Sequence, residues 1–445
     1  MAALTGMQVY KNLPKTNCKD CGFPTCMAFA MQVAAKQKAL TDCRHVTEEA
    51  RNALSDASSP PMKLVTIGTE GKKFTIGQET VMFRHEERFH HAAGIAIRIR
   101  SSLSDEQAGA LVDKINGSHF ERAGSKLRAA LCAVEIDGCS DPAGRVRLVS
   151  RKSSVPLILL GSNPEKIKPA LEAAGNARPL ICKATGSTIE SLAALASQAK
   201  CPLCVYGETF EELADLTQKV KAKGVEEMVL AFDGADIAET IRRLTITRRA
   251  AIKKNIRALG YPSLVDVSAD SPETETACAA AFVAKYAGIV IIDGSEPWEL
   301  LPVMTVVDSI YTNPQVPNAV EAKLYQIGSV NENSPVYFTT NFSLTYFSLA
   351  GEVERSRIPA YICVVDTEGL GVLNAYAGDK ISPEKVVKTL QAQKVAEKVR
   401  HRKLIIPGLL PIFRAEIEDT SEWKEVIIGP ESASKVPAFI NNMWK

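Results

Sequence analysis

The middle of the chain, residues 62–325, alternates between short apolar runs and amphipathic stretches. The apolar runs are rich in β-branched residues and lack polar alternation, which is typical of parallel strands buried on both faces. Strands are predicted at residues 94–100, 129–136, 156–160, 179–182, 202–206, 228–232, 263–267 and 288–292. Because helical patterns fill most of the gaps between these eight strands, the sequence predicts a central (β/α)8 TIM barrel rather than a doubly wound sheet.

Three segments around the barrel are less regular. A β-hairpin within residues 63–83 is expected to cap the bottom of the barrel or to join it to the N-terminal segment. Residues 237–259 predict a long basic helix, expected to be a solvated outer helix or a docking face for a partner. Residues 141–154 form only a poor helical pattern.

The last part of the chain, residues 326–445, predicts a small open Rossmann-like α/β domain. Strands are predicted at 336–347, 360–365, 403–406 and 426–428, and helices at 385–399 and 431–442. In such sheets, ligands bind beyond the carboxyl ends of the strands. Glycines at these ends, including Gly369, Gly371 and Gly429, allow a large flat or phosphate-bearing ligand to approach the backbone closely.

Four cysteines near the N-terminus form the clearest candidate site: Cys18, Cys21, Cys26 and Cys43. Three of them share one short loop, and a helical run at 27–36 separates them from the fourth. Structural zinc sites usually consist of two short cysteine pairs that face each other, whereas a loop with one remote cysteine is typical of iron–sulfur clusters. The spacing favours a 4Fe–4S cluster and leaves zinc as the alternative.

The cluster segment is too small to bury a sufficient core, so the metal is expected to hold it together. A polar linker at 53–61 ends in two prolines and predicts a domain boundary. The predicted domains are therefore residues 1–58 for the cluster, 62–325 for the barrel and 326–445 for the sheet domain.

Composition and charge narrow the class of protein. The 46% apolar and 23% charged residues are ordinary for a globular protein, and a net charge of +2 argues against nucleic acid as a partner. No apolar run reaches the ~20 residues that span a bilayer, and no hydrophobic signal segment follows Met1. We therefore expect a cytoplasmic protein in a reducing compartment, where disulfides are disfavoured.

Other candidate motifs have ordinary structural explanations. Cys201 and Cys204 run into a strand rather than opening a helix, which favours buried thiols over a redox pair. The histidines at 85, 90 and 91 match no standard metal spacing. Three acidic residues lie at or near predicted strand ends, where barrel enzymes place catalytic groups, so a catalytic site in the barrel stays open. They are Asp137, Asp233 and Asp266.

Taken together, the sequence resembles the large (gamma) subunit family of the corrinoid iron–sulfur proteins of the acetyl-CoA pathway. The resemblance rests on residues 13–22 with Cys26 and Cys43, on 311–317, on 330–337 and, most specifically, on 339–346. It implies a cluster domain, a barrel and a C-terminal corrinoid-binding domain. It also implies a heterodimer with a small subunit, with the corrinoid between the two chains.

The resemblance implies a methyl-group carrier. Its cob(I)amide accepts a methyl group from methyltetrahydrofolate through a separate methyltransferase and donates it to acetyl-CoA synthase. The cluster returns cobalt from the inactive Co(II) state. The resemblance also suggests the residues around the corrinoid and its nucleotide tail: Thr340, Thr345, Tyr346, Gly369, Leu370, Gly371, Val372, Leu373, Asn374, Gly429 and Ala433.

The sequence lacks the Asp-x-His-x-x-Gly motif with which many cobalamin proteins ligate cobalt. A bound corrinoid is therefore expected in the base-off form without a protein histidine ligand. The family commonly has Thr at the position aligned with Asn374, so this chain departs from the pattern beneath the corrin. Two other classes remain: a barrel enzyme that is itself a methyl-pterin:corrinoid methyltransferase with a structural cluster, and an electron-transfer activator without a corrinoid.

Overall fold

The computed structural model describes residues 5–35, 38, 40–47, 60–122 and 124–444. The chain forms two compact units, one made of residues 1–120 and 127–312 and the other of residues 121–126 and 313–445. Most of the predicted linker at 53–61 lies outside the described residues. The second unit begins at Asn313, earlier than the boundary that we predicted at residue 326.

The N-terminal segment consists of two short helices around a small core. Helix α1 (Gly6–Lys11) packs on α2 (Cys26–Ala34), and a single 3₁₀ turn follows at Leu40–Asp42. The buried side chains between them include Val9, Phe29 and Val46. The helix predicted at 27–36 is confirmed within one or two residues at each end.

A hairpin of β1 (Leu64–Thr69) and β2 (Lys72–Gly77) precedes the barrel. The strands that follow are β3 (Gly94–Ile99), β4 (His119–Arg122), β5 (Ser125–Arg128), β6 (Leu131–Glu135), β7 (Leu157–Leu160), β8 (Leu180–Ala184), β9 (Leu203–Val205), β10 (Met228–Asp233), β11 (Ser263–Asp266) and β12 (Ala287–Ile292). Strands β4 and β5 form a separate two-stranded sheet. The other eight close into a parallel barrel in the order β10-β11-β12-β3-β6-β7-β8-β9, so all eight predicted barrel strands are confirmed.

Helices alternate with the barrel strands. They are α3 (Asp105–Gly117), α4 (Pro142–Lys152), α5 (Pro164–Ala174), α6 (Ile189–Ala199), α7 (Phe210–Ala222), α8 (Ile237–Ile252), α9 (Pro272–Ala284) and α10 (Pro297–Tyr311). The sequence pattern at 141–154 predicted only a poor helix, and this was wrong, because residues Pro142–Lys152 form the regular helix α4. Asp141 caps α4, whose Arg145, Val146 and Val149 are buried, whereas Arg147, Arg151 and Lys152 are exposed. Helix α8 also ends at Ile252, earlier than predicted.

The hairpin closes the amino-terminal end of the barrel. The side chains of Val65, Ile67 and Ile76 are buried in one cluster with the barrel interior. The backbone N–H of Thr66 donates to the carboxylate of Glu227, directly before β10, at 2.8 Å. The predicted capping role of this hairpin is therefore confirmed.

The second unit contains an open five-stranded sheet. Its strands are β13 (Leu324–Ile327), β14 (Val336–Thr340), β15 (Ala360–Val365), β16 (Lys403–Ile406) and β17 (Glu425–Ile428), in the order β13-β15-β14-β16-β17. Its helices are α11 (Ser343–Ser356), α12 (Val372–Ala377), α13 (Pro383–Ala392), α14 (Phe413–Thr420) and α15 (Val436–Met443). All strands except the antiparallel edge strand β13 run parallel, as in a Rossmann-like sheet.

Two predictions for this unit were wrong in detail, and one strand was missed. The strand predicted at 336–347 stops at Thr340, and Ser343 begins α11 instead. Strand β13 was not predicted; it is a short edge strand that crosses the expected boundary at 326. The final helix begins at Val436 rather than 431, after a 3₁₀ turn.

Among the described helices, none combines the length and apolar character needed to cross a bilayer.

Candidate cluster and cofactor sites

The cysteine loop is held by the start of helix α2. The side chain of Thr25 accepts a hydrogen bond from the backbone N–H of Ala28 and so caps the helix. This cap places Cys26 in the first turn, where it is buried together with Cys43. Cys21 is half-buried and Cys18 is exposed. The four thiols therefore span one edge of the small N-terminal core from its interior to its surface.

Asn17 and Cys26 are joined by two hydrogen bonds. The backbone N–H of Cys26 donates to the side-chain oxygen of Asn17 at 2.7 Å. The backbone N–H of Asn17 in turn donates to the sulfur of Cys26 at 3.4 Å. Amide donors of this kind stabilise a metal-bound thiolate and tune the potential of a cluster.

The backbone of the cysteine loop alternates between left-handed and ordinary conformations. The residues with positive φ are Lys15 (58°), Asn17 (50°), Lys19 (68°) and Gly22 (82°). Residues other than glycine rarely adopt this backbone conformation. Successive residues that alternate in this way turn their N–H groups toward a common centre, a geometry that binds anions and iron–sulfur clusters. The loop therefore has the shape that an anionic cluster requires.

The spacing of the four thiols can be compared with the spacing of ligands around one zinc ion. Thiolates bound to one tetrahedral zinc ion lie about 3.8 Å apart, given Zn–S bonds of about 2.3 Å. In the described part of the chain, the ligand atoms of only one group of three His, Cys, Asp or Glu residues all lie within 4.8 Å of each other, and it contains a single cysteine. The group is Cys18, Asp20 and His45. In the described residues, no three of the four thiols therefore lie within 4.8 Å of one another.

The same corner of the loop contains an exposed ion pair. His45 Nε2 lies 2.7 Å from a carboxylate oxygen of Asp20. This hydrogen bond is the main cause that lowers the pKa of Asp20. Since the pair is exposed, it contributes little to stability, and it links the turn after Cys43 to the cysteine loop.

An exposed apolar surface covers the carboxyl ends of the central strands in the second unit. Its members are large apolar side chains that follow β14, β15 and β16: Leu344, Leu373, Tyr376, Leu409 and Ile412. Leu373 is 54% exposed and Ile412 is 67% exposed. Several large exposed apolar side chains at the ligand-binding edge of a sheet are typical of a binding site. We refer to these five residues as the apolar bay.

A cavity of about 250 Å³ opens beside the apolar bay. It lies between the sheet and helix α11, and residues Tyr337, Thr339 and Ile405 form its sheet side. Four of the predicted corrinoid residues line it, namely Thr345, Val372, Gly429 and Ala433. The cavity thus continues the ligand-binding edge of the sheet into the interior of the unit.

Asn341 organises the loop that follows β15. Its side-chain oxygen accepts hydrogen bonds of 2.9 Å from the backbone N–H groups of Thr367 and Gly369 and from the Thr367 hydroxyl. Its side-chain nitrogen donates to Asp366 at 2.9 Å. Sequence reasoning named the surrounding segment but not this residue. The sequence contains no signal for it, because the partners of a buried amide are set by tertiary packing.

The other predicted corrinoid residues occupy varied positions. Gly369 has a φ of 75°, which explains the need for glycine in this loop. Leu370 and Gly371 are half-buried, and Leu373 and Asn374 are exposed on the first turn of α12. Thr340, Gly369 and Tyr346 are buried.

Tyr346 belongs to the core rather than to the loop surface. It is a helix residue, and its ring packs 4.5 Å from the ring of Tyr325 and 5.0 Å from that of Phe347. Thr340 is fully buried at the end of β14, and within the described residues its hydroxyl lacks a hydrogen-bond partner. Thr340 can therefore offer a hydroxyl to a ligand, whereas the ring of Tyr346 is already packed in the core.

The carboxyl-terminal mouth of the barrel contains paired charges. Arg98 on β3 lies 2.5 Å from Asp266 and 3.2 Å from Asp293, and Arg100 also pairs with Asp293. Burial raises the pKa of Asp266 despite this pairing. Asp137 accepts hydrogen bonds from the backbone of Ser162 and the following residue, which is a loop-closing role.

The remaining motifs behave as structural elements. Cys201 and Cys204 are buried, and burial raises the pKa of Cys201 to about 11, so neither thiol is reactive. The basic helix α8 is not uniformly solvated. Arg248 is buried, with its guanidinium 4.5 Å and 4.6 Å from the rings of Phe89 and Tyr286. It anchors the segment before β3 to this helix.

Comparisons with known proteins agree with this architecture. Residues 64–440 match the family described as CO dehydrogenase/acetyl-CoA synthase delta subunit, and residues 13–45 match the family described as putative Fe-S cluster. The chain is 42% identical to the corrinoid/iron-sulfur protein large subunit of Moorella thermoacetica, with 98% of each chain covered. It is 34% identical to the acetyl-CoA decarbonylase/synthase complex subunit gamma of Methanopyrus kandleri, with 99% of this chain and 98% of the other covered. The subunit gamma of Methanothermobacter thermautotrophicus is 32% identical, with 99% of each chain covered. The chain therefore belongs to the family of corrinoid/iron–sulfur protein large subunits and acetyl-CoA decarbonylase/synthase gamma subunits, as its resemblance predicted.

Proposed function

We propose that this chain is a methyl-group carrier of the acetyl-CoA pathway that binds one 4Fe–4S cluster and one corrinoid. The observation that carries the proposal is the apolar bay, which lies at the ligand-binding edge of the C-terminal sheet beside a cavity of about 250 Å³. A corrin is large and flat, with an apolar macrocycle surrounded by polar amide side chains, so an exposed apolar surface beside polar loops suits it better than it suits a small polar substrate. The cysteine loop in the same chain supplies the second cofactor site.

The cluster ligands in this proposal are Cys18, Cys21, Cys26 and Cys43. The N–H of Asn17, which donates to the Cys26 sulfur, would stabilise the reduced charge on that thiolate. The left-handed residues of the loop present further N–H groups to the cluster. An all-thiolate cluster has a low potential, which the reduction of cobalt demands.

The corrinoid would lie over the apolar bay, with the loop at 366–371 beneath it and Asn341 holding that loop. We keep as its contacts the residues Thr340, Thr345, Tyr346, Gly369, Leu370, Gly371, Val372, Leu373, Asn374, Gly429 and Ala433. The one histidine of this unit, His401, engages both ring nitrogens with Ser334 and Lys403. It lies before β16 at the opposite end of the sheet, which supports a base-off corrinoid without a protein histidine ligand.

When bound, the corrinoid supplies a cobalt nucleophile that takes a methyl group from methyltetrahydrofolate with a separate methyltransferase and passes it to acetyl-CoA synthase. The chain's own residues bind, orient and shield this group. The cluster would supply the electron that reduces inactive Co(II) to Co(I). The proposed partners are the small subunit of the corrinoid iron–sulfur protein in a heterodimer, the methyltransferase and acetyl-CoA synthase. In this proposal Asn374, which is exposed on the first turn of α12, would contribute an amide to the surface beneath the corrin.

The rival proposal is that the barrel itself transfers methyl groups from a pterin. The mouth of the barrel disfavours this because Asp266 and Asp293 are paired with Arg98 and Arg100. Carboxylates held in ion pairs are poorly placed to bind a pterin ring. An electron-transfer activator without a corrinoid would in turn leave the apolar bay without a role.

One experiment separates the three classes. The full-length chain is purified without oxygen together with the small subunit, and its spectrum and metal content are measured. A carrier shows corrinoid bands, cobalt, iron and acid-labile sulfide, and it is methylated by methyltetrahydrofolate only when the methyltransferase is added. Self-methylation would make the barrel an enzyme, and a cluster without cobalt would leave the activator class.

A further inference from the structure

The cavity beside the apolar bay has an unusual floor. Tyr337, the second residue of β14, lines the cavity and is only 3% exposed. Its hydroxyl is buried and has no hydrogen-bond partner within the described parts of the chain. Buried hydroxyls in native proteins are nearly always paired, and each exception calls for an explanation. The simplest explanation is a partner that arrives with a ligand.

The surroundings of this hydroxyl are apolar. The neighbouring strand places Ile405 directly beside Tyr337, and Leu349 and Val436 of the covering helices complete the wall. The other hydroxyls that line the cavity are those of Thr339, which is buried on β14, and of Thr345 and Ser348, which are half-buried and exposed. Among the described residues that line the cavity, only Tyr337 has a fully buried side-chain polar atom without a partner, and such an atom in a mainly apolar slot can orient a flat ligand with a single polar atom.

The size of the cavity limits the ligand. An apolar cavity of about 150 Å³ holds a benzene ring, so a cavity of about 250 Å³ holds a two-ring aromatic group. In a base-off corrinoid the lower base is such a group, and its ring nitrogen has a free lone pair because it does not bind cobalt. A buried lone pair needs a donor, and a tyrosine hydroxyl is one.

We propose that Tyr337 donates a hydrogen bond to the ring nitrogen of the lower base, so that this chain selects corrinoids with a nitrogen-containing base. The inference rests on the proposed function and deepens it. Benzimidazole and purine bases carry the required acceptor, whereas phenolic bases fill the same slot without one. Tyr337 is therefore a specificity-determining residue for the cofactor.

The test compares three probes on the full-length chain in complex with the small subunit: a benzimidazolyl cobamide, a phenolyl cobamide and cobinamide, which has no base. Binding is measured by the absorption change of the corrinoid. The wild-type chain should bind the benzimidazolyl form about tenfold more tightly than the phenolyl form, the effect of one buried hydrogen bond. Tyr337→Phe should remove this tenfold preference and leave the affinities for the phenolyl form and cobinamide unchanged.

Two controls distinguish recognition from a structural role. Tyr361→Phe removes the hydroxyl of another buried tyrosine, which does not line the cavity, and should change none of the three affinities. In the absence of corrinoid, Tyr337→Phe should unfold at the same or a higher temperature than the wild type, because an unpaired buried hydroxyl does not stabilise the fold.

Other outcomes would overturn the inference in distinguishable ways. An equal loss of affinity for all three probes in Tyr337→Phe, or no loss for any, would leave Tyr337 without a role in recognition while the proposed function stands. A wild-type chain that binds none of the three probes would remove the proposed function and this inference together.

Discussion

The side-chain oxygen of Asn341 accepts a hydrogen bond of 2.9 Å from the backbone N–H of Gly369. This contact connects the end of β14 to the loop after β15, and it fixes a glycine whose φ of 75° no other residue adopts without strain. The floor of the apolar bay therefore depends on one amide from the neighbouring strand.

Asn341→Ala should weaken both the fold and corrinoid binding. The substitution leaves the buried N–H groups of Thr367 and Gly369 without their acceptor, and each such loss costs about 1–3 kcal/mol. We expect the free energy of unfolding in urea to fall by about 2–4 kcal/mol. Corrinoid affinity should also fall, because the loop beneath the corrin loses the acceptor that holds it. Asn441→Ala, an exposed substitution on α15, should change neither quantity. Unchanged corrinoid affinity in the destabilised variant would argue against this loop as the floor of the site.

Cys26→Ala should remove the cluster and leave the corrinoid. Cys26 is a buried member of the cysteine loop, whereas the apolar bay belongs to the other compact unit. Iron and acid-labile sulfide should fall to near zero, with cobalt content unchanged. Cys278→Ala, which removes a buried thiol from α9, serves as the control and should retain full iron. Zinc without sulfide in the wild-type protein would contradict the cluster assignment.

The same Cys26→Ala variant should still carry methyl groups if cobalt is first reduced chemically. The physical reason is the division of labour between the two sites: the cluster moves electrons and the corrinoid moves methyl groups. Turnover should stop only after cobalt oxidises, as followed by the spectrum of the corrinoid during repeated methylation. Failure of the chemically reduced variant to accept any methyl group would show that the cluster does more than reactivation.

Leu373→Glu should abolish tight corrinoid binding without unfolding the chain. Leu373 is 54% exposed, so a surface charge there should change stability by no more than about 0.5 kcal/mol. A carboxylate beneath a bound corrin would lose its hydration, which is strongly unfavourable. Met443→Glu, on an equally exposed apolar residue outside the bay, provides the matched control. Equal affinities for the two variants would place the corrinoid elsewhere.

Asp266→Asn should alter the pH dependence of stability. Burial raises the pKa of Asp266 in the folded state, so the folded chain holds this proton more firmly than the unfolded chain. The resulting stabilisation is fully present below the unfolded pKa of about 3.9 and is lost as the pH rises through the folded pKa. The stability of the wild type relative to Asp266→Asn should therefore decline with rising pH in acid titrations. Methyl transfer at neutral pH should be unaffected, since the barrel is a scaffold in the proposed function.

The barrel was predictable because its strands are buried on both faces. Such strands have continuous apolar sequences, and each of the eight shows this pattern. The start of α11 was missed because the run from Thr339 to Phe347 is rich in Thr and aromatic residues, which favour strands. Tertiary packing of Tyr346 against Tyr325 overrides that preference. The edge strand β13 escaped prediction because its side chains are only partly buried.

The candidate sites were predictable only in part. Cysteine spacing indicates a ligand set directly, because thiolates must converge on their metal. The roles of Asn341 and Tyr337 depend on which buried polar atoms find partners, and the sequence does not contain that information. Arg248 illustrates the same limit, since a charged helix residue is ordinarily exposed and here lies between two aromatic rings.

The unequal burial of the four cysteines has a consequence for the stability of the proposed cluster toward oxygen. Cys18 is exposed and Cys21 half-buried, whereas Cys26 and Cys43 are buried, so a cluster held by them would be most open to solvent at the corner bound by Cys18. Small oxidants would reach the iron at that corner first, and the sheltered corners would outlast it. The proposed cluster would therefore decay stepwise under oxygen, passing through a three-iron form, and the face that admits electrons would also be the face through which the protein is inactivated.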